Sequence, residues 1–236
     1  MSSRSLVVVS GGTKGIGKAV LEAFAGQGFD LVTCSRSQED LEALKVELES
    51  RFDVVTHIFQ ADLSKKEEAL AFADFALLHQ QPIAVLVNNS GVFLPGEVHT
   101  ETDGALELQL ATNVESAYHM ARELIPEMKK QGYGHIFNVC STASITAYTN
   151  GGSYCISKYA LYGFSKVLRE EMKPFNIRVT SVLPGATLTN SWAGTDLPEE
   201  RFMPPEDVAQ MMLCTFNLSE RTVVEDLLMR PILGDL

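Results

Sequence analysis

Seven short runs of β-branched and apolar residues punctuate the chain, at positions 6–10, 31–34, 54–60, 83–88, 135–140, 178–183 and 223–228. Between most of them apolar residues return every three or four positions, the spacing of an amphipathic helix, across 17–27, 39–51, 65–80, 104–130 and 154–175. Strand alternating with helix predicts right-handed βαβ crossovers, and hence an α/β fold: a doubly wound, seven-stranded parallel sheet with helices on both faces. The central runs are apolar at nearly every position, as strands covered on both faces must be. Residues 189–205 break the rhythm with Trp192, Pro198, Pro204 and Pro205, so a lid or substrate loop is expected there, with helix resuming at Glu206. No repeat or linker divides the chain, and residues 1–236 read as one domain.

Composition narrows the classes of function. Apolar residues make up 45% and charged residues 21% of the 236, a globular balance. The net charge of -11 repels a phosphate backbone or an anionic membrane, so neither nucleic acid nor membrane is an expected partner. Cys34, Cys140, Cys155 and Cys214 lie far apart, without metal-ligand spacing, and read as reduced, mostly buried thiols. A short polar leader and the lack of a bilayer-length apolar stretch make the cytoplasm the expected location.

Candidate chemistry begins where the first strand ends. Ser10, Gly11, Gly12, Thr13, Lys14, Gly15, Ile16 and Gly17 form a glycine-rich turn leading into a helix, an arrangement that presents backbone amides and a positive helix terminus to a pyrophosphate. The same glycines would serve an ordinary tight connection, and their Gly-x-x-x-Gly-x-Gly spacing departs from the usual dinucleotide fingerprint. The second strand ends at Arg36, where an NAD site would carry an acid. Arg36, helped by Lys14, suits a 2′-phosphate and favours NADP(H), although both could be solvated surface charges. Asp62, followed by Leu63, either borders an adenine or caps the next helix.

The second cluster lies beyond the fifth strand. Ser141 is followed thirteen residues later by Tyr154, with Lys158 one helical turn on. A cation beside a phenol lowers its pKa from about 10 and makes tyrosine a usable acid and base, while a serine hydroxyl can steady a carbonyl oxygen gaining charge. Taken singly, Tyr154 and Lys158 could be an exposed helical pair and Ser141 a turn cap.

Taken together, the glycine turn, Asn88-Asn89-Ser90-Gly91, Asn113, Ser141, Tyr154, Lys158 and Pro184-Gly185 resemble the short-chain dehydrogenase/reductase family in order and spacing, over essentially the whole chain. The resemblance implies a Rossmann-type domain and a catalytic tetrad of Asn113, Ser141, Tyr154 and Lys158. In it Tyr154 delivers the proton, Lys158 also holds the nicotinamide ribose, and Asn113 anchors a relay water. It further implies Asn89 near the adenosine and Pro184, Gly185, Thr187 and Thr189 around the nicotinamide, in a homodimer or homotetramer. Ser10 and Ser90 replace the family's usual threonine and alanine. The last fifty residues are similar to bacterial sepiapterin reductases, which reduce pterin side-chain carbonyls with NADPH. That likeness makes Trp192 and Asp235 candidate substrate contacts, with Asp196 as an alternative to Asp235. Trp192 could instead pack as a lid, and Asp235 could sit on a frayed end. The expected function is thus NADPH-dependent reduction of a small-molecule carbonyl. The competing readings are a 3-oxoacyl-thioester reductase, disfavoured by the acidic chain, and a non-catalytic NADP(H)-binding sensor or scaffold, disfavoured by the complete tetrad.

Overall fold

The computed structural model describes residues 4–192 and 194–236. The first residues of the expected polar leader and Ala193 of the expected substrate loop lie outside them. Seven parallel strands, β1 (Leu6–Ser10), β2 (Asp30–Ser35), β3 (Thr56–Gln60), β4 (Ile83–Asn88), β5 (Gly134–Val139), β6 (Ile177–Pro184) and β7 (Asp226–Met229), lie in the order β3-β2-β1-β4-β5-β6-β7. The winding reverses between β1 and β4, which opens a crevice at their carboxyl ends. Every residue of β1, β4 and β5 is buried, whereas the edge strands β3 and β7 are each buried at a single position and otherwise partly or fully exposed.

Helices α1 (Gly15–Ala25), α2 (Gln38–Arg51) and α7 (Pro205–Phe216) cover one face. Helices α3 (Lys66–Leu78), α5 (Ser116–Gln131) and α6 (Gly152–Met172) cover the other. The period of two along β1 sorts its side chains accordingly: Val7 and Val9 join the first core, Leu6 and Val8 the second. Among the described residues, no helix is long and apolar enough to cross a membrane.

Two expectations change. The long helix predicted over 104–130 is instead α4 (Ala105–Leu110), a π-helical turn (Ala111–Glu115) and α5. Ser116 N reaches back to Ala111 O, and the Thr112 carbonyl that it skips accepts the Ser116 hydroxyl at 2.6 Å. The third and seventh strands start two and three residues later than predicted. Val55 N is held by Asp30 Oδ1 at 2.9 Å, and Val224 O accepts the Thr180 hydroxyl, so side chains engage these flanks before the ladders begin. Asp30 therefore belongs to the amino-terminal edge of the sheet and is not a neighbour of Arg36.

His135, in the fully buried β5, bears on stability. Thr180 spends its only hydroxyl proton on Val224 O, so the 2.8 Å contact between His135 Nε2 and Thr180 Oγ1 requires the proton on Nε2. Nδ1 then carries a bare lone pair, with no partner among the described residues. Burial, helped by the Arg178 charge, pushes the imidazole well below its ordinary value of 6.5. The folded state excludes a proton that the unfolded chain binds, so stability falls as pH drops below about 6.5, by ~1.4 kcal/mol per pH unit for one proton. His135→Phe keeps a flat ring beside Phe137 and removes this titration. Urea melts should show a flatter stability profile for the variant between about pH 6.5 and 5; equal slopes for the two proteins would contradict the assignment.

Candidate active site

Segments following the carboxyl ends of all seven strands enclose a cavity of about 890 Å³. Its wall includes every sequence-predicted contact residue except Gly17 and Asn113, which brace it from behind; Asp196 does not reach it.

At one end Gly11 turns with φ +68°, a conformation that side chains resist, and its N–H and that of Gly12 donate to Cys34 O. Gly17 lies against the same turn: a Cβ there would stand 2.3 Å from Gly11 O. Asn89 Nδ2 donates to Ser10 O and Gly11 O at 2.9 and 3.0 Å, while Ser10 Oγ accepts from the N–H groups of Asn89 and Ser90. Asn89 is thus a brace of the glycine turn as well as part of the wall. Helix α1 starts immediately afterwards without a side-chain cap, which leaves amide donors of its first turn for an anion. Thr13, Gly15 and Ile16 line this mouth, and Thr189 packs over Gly15, its Cγ2 lying 2.9 Å from where a Cβ would be.

Next to it, the exposed Arg36 guanidinium makes no ion pair among the described residues. Lys14, expected to assist it, pairs with Asp40 at 2.9 Å, an acid that the sequence reading did not weigh. The N-cap of α3 is Lys65 and no side chain caps that helix, so Asp62 does not serve as its cap. Asp62 Oδ1 accepts from the Ser64 N–H and hydroxyl, contacts that lower its pKa, while the residue borders the cavity beside Leu63.

An uncapped helix terminus, a turn cleared of side chains and an uncommitted guanidinium fit a dinucleotide with a 2′-phosphate. Arg36→Ala should therefore weaken NADPH binding by about 10-fold to 100-fold and leave NADH binding within about threefold, as read by nucleotide fluorescence titration. Equal losses for both nucleotides would separate Arg36 from the phosphate.

At the other end, Ser141 leaves β5 in an extended conformation. Its Oγ accepts from Ala143 N at 3.1 Å, and Ser144 Oγ accepts from Ser141 N at 3.2 Å. With that capping box closed, the Ser141 O–H remains available to donate into the cavity. Tyr154, in the first turn of α6, contacts this hydroxyl, and its ring meets Phe93 edge-on at 4.9 Å. The predicted lowering of the phenol by Lys158 is not found: the ammonium is not among the groups that shift it. Burial pushes Tyr154 above 10 and the Ser141 hydroxyl pulls in the opposite direction, so the phenol is protonated at neutral pH. Lys158 Nζ stands 5.8 Å from the ring centroid and donates to Val139 O at 2.9 Å; burial lowers its pKa to about 8.

Asn113 is 1% exposed, and its side-chain amide is committed to the protein. Oδ1 accepts from Val92 N at 2.7 Å, and Nδ2 donates to Val92 O and Ser157 Oγ. The Ser157 hydroxyl in turn donates to Tyr154 O. Asn113 thereby joins the wall after β4 to the helix bearing Tyr154 and Lys158.

Pro184, Gly185 and Thr187 continue β6 into the wall. Trp192 lines it too, its ring 5.0 Å from Phe202, so the lid and pocket readings hold together. Asp235 is not frayed: Oδ2 accepts from Arg230 Nε at 2.8 Å, and Oδ1 sits where a Cβ on Gly185 would come within 2.4 Å. Phe93 and Tyr148 were not singled out from the sequence. Their only signal is position, on the loops that follow β4 and β5.

The family model of the short chain dehydrogenases matches residues 5–199, and the chain belongs to that family. Sepiapterin reductase of Chlorobaculum tepidum is 31% identical over 242 residues, covering 99% of this chain and 98% of that protein. L-sorbose reductase of Gluconobacter frateurii, solved with NADPH and L-sorbose, superimposes with a TM-score of 0.90 at 25% identity over 98% of this chain and 96% of the other. A short-chain dehydrogenase of Sphingobium yanoikuyae, solved with NADPH, gives 0.84 at 30% identity over 94% and 87%. The protein is an NADP(H)-dependent oxidoreductase.

Proposed function

We propose that this protein reduces a ketone borne by a flat, guanidine-edged heteroaromatic, a pterin side-chain carbonyl in the manner of sepiapterin reductase. The observation carrying this reading is that one cavity combines the Ser141, Tyr154 and Lys158 cluster with aromatic walls from Phe93, Tyr148 and Trp192 and with the Asp235 carboxylate. Rings stack on a flat substrate, and a carboxylate meets a guanidine-like edge through paired hydrogen bonds. Arg230 engages Asp235 Oδ2, which leaves Oδ1 free to accept. The likeness to the Chlorobaculum tepidum enzyme over nearly the whole chain supports the same substrate class.

NADPH, when bound, supplies a hydride to the carbonyl carbon. The glycine turn from Gly11 to Gly17 would hold its pyrophosphate, Arg36 its 2′-phosphate, Asp62 and Leu63 its adenine, and Gly185, Thr187 and Thr189 its nicotinamide. Ser141 donates to the carbonyl oxygen as negative charge gathers there, and the protonated Tyr154 phenol passes its proton to that oxygen. Lys158 then steadies the phenolate left behind and holds the nicotinamide ribose. Asn113 acts through the frame it builds between Val92 and Ser157.

Asp235→Asn keeps the size of the side chain and removes its charge. It should raise KM for sepiapterin by about tenfold while leaving KM for a small diketone within about twofold. Equal KM changes for both substrates, or none for sepiapterin, would remove Asp235 from substrate recognition.

The reading extends to the whole chain acting as one domain and to assembly as a homodimer or homotetramer. Tyr118 on α5 and Ile156, Tyr159 and Val167 on α6 are exposed apolar residues that support a helix-mediated contact. On the same helices Ala117 and Ala121 face the core and Phe164 is half-buried, so these three are not offered to a partner.

A further inference from the structure

Helix α6 carries Tyr154 and Lys158, yet its N-cap is Gly151, which has no side chain to accept from the first turn. The acceptor comes from a residue 52 positions earlier in the chain: Glu101 Oε1 accepts from Ser153 N at 2.8 Å, and Oε2 accepts the Ser153 hydroxyl. A carboxylate placed there also meets the positive end of a 21-residue helix.

Glycines make this approach possible. A Cβ on Gly152 would lie 2.0 Å from Glu101 Oε1 and 2.6 Å from Gly96 O, and a Cβ on Gly96 would lie 2.6 Å from Glu101 Cγ. Gly96 N donates to Asn150 O at 3.0 Å, and Gly96 and Gly151 form an isolated parallel bridge.

Two loops are therefore fastened together at the base of α6. The loop after β4 carries Phe93, which packs on the Tyr154 ring; the loop between Ser141 and Tyr154 carries Tyr148. Asn113 pins the first loop at Val92, and Gln109 Oε1 pins it at Leu94 N, both near its start. Glu101 pins its far end, and does so without reaching the cavity.

We propose that Glu101 is a positioning residue for Tyr154. By capping the first turn of α6 from outside the helix, it fixes the place of the phenol relative to Ser141 and holds the Phe93 wall against it. The proposal rests on carbonyl reduction through Tyr154 and is independent of the pterin substrate.

Glu101→Ala and Glu101→Gln in the full chain, compared with wild type, test it. The readouts are amide hydrogen exchange across residues 145–158, the Kd for NADPH, the melting temperature, and kcat and KM with phenanthrenequinone as the carbonyl probe. Expected for Glu101→Ala is exchange about tenfold faster in the first turn of α6 and a kcat lower by about 10-fold to 100-fold, because small displacements of a reacting group are costly. NADPH Kd and KM should stay within about threefold. Glu101→Gln, which still offers an acceptor to Ser153 N, should recover kcat to within about threefold of wild type.

A wild-type kcat in Glu101→Ala overturns the proposal. So does a loss of kcat that tracks equal losses of NADPH affinity and melting temperature and is not recovered by glutamine, which marks a general structural role. Failure of the wild type itself to reduce the probe counts against the reductase reading, and exchange then decides for Glu101: release confined to residues 145–158 supports the cap, and unchanged exchange overturns it.

Discussion

Tyr154→Phe should lower kcat for carbonyl reduction by about 10³-fold while the Kd for NADPH stays within about twofold. The substitution deletes one O–H and keeps the ring that packs edge-on against Phe93, so the wall of the cavity survives and the proton donor does not. The environment of the phenol says why no nearby group replaces it. Burial holds Tyr154 protonated, the form that reduction needs, and the Ser141 hydroxyl beside it is a weaker acid suited to donating a hydrogen bond. Lys158 sets the pH dependence. With its pKa lowered to about 8, the ammonium that steadies the departing phenolate is lost as pH rises through that value, so wild-type reduction should decline above about pH 8. The residual rate of the variant should show no such limb. Steady-state rates between about pH 6 and 9.5 check both statements. A variant that retains the wild-type rate would show that the proton comes from elsewhere.

Gly17→Ala should raise the Kd for NADPH by about 100-fold, equivalent to ~3 kcal/mol. The added methyl would come within 2.3 Å of Gly11 O and 2.6 Å of Asn89 Nδ2. The first of these is backbone that no rotamer change can move aside, and the second is the amide that holds the turn closed through Ser10 O and Gly11 O. Relief of the clash must open the turn at the place proposed for the pyrophosphate, and α1 moves with it. The sheet does not depend on this contact, so the melting temperature without nucleotide should fall by only a few degrees while nucleotide-induced stabilisation disappears. Calorimetric titration and melts with and without NADPH distinguish this outcome from general unfolding.

Much of this was readable in the chain because the features are local. β1 and β4 are apolar up to their last residue, as buried parallel strands demand, and the glycine turn, Tyr154 and Lys158 sit within a few residues of the elements that aim them. What escaped the sequence depends on contacts between distant segments. The helical period continues through Ala111–Glu115, and nothing in it announces a π turn whose Asn113 amide is spoken for by Val92 and Ser157. The pairing of Lys14 with Asp40 brings together the glycine turn and the first turn of α2. Phe93 and Tyr148 reach the cavity because loops fold over it, and neither carries a motif. The phenol's pKa escapes for a similar reason: the i, i+4 spacing of Tyr154 and Lys158 suggests that the ammonium lowers it, whereas in the packed helix burial raises it and only the Ser141 hydroxyl opposes that rise. Asp235, by contrast, lies near the end of the chain and reaches the cavity wall through its bond to Arg230, five residues before it.

The measurement that tests the central claim most directly is the oxidation of NADPH, followed by absorbance, with sepiapterin, a small diketone and an acetoacetyl thioester supplied in parallel to wild type and to Tyr154→Phe. The account predicts turnover of sepiapterin by the wild type that is lost in the variant although NADPH still binds. Turnover of the thioester alone would contradict the pterin reading in favour of an acyl-thioester reductase, and NADPH binding without turnover of any carbonyl would contradict catalysis altogether and mark the protein as a nucleotide-binding sensor.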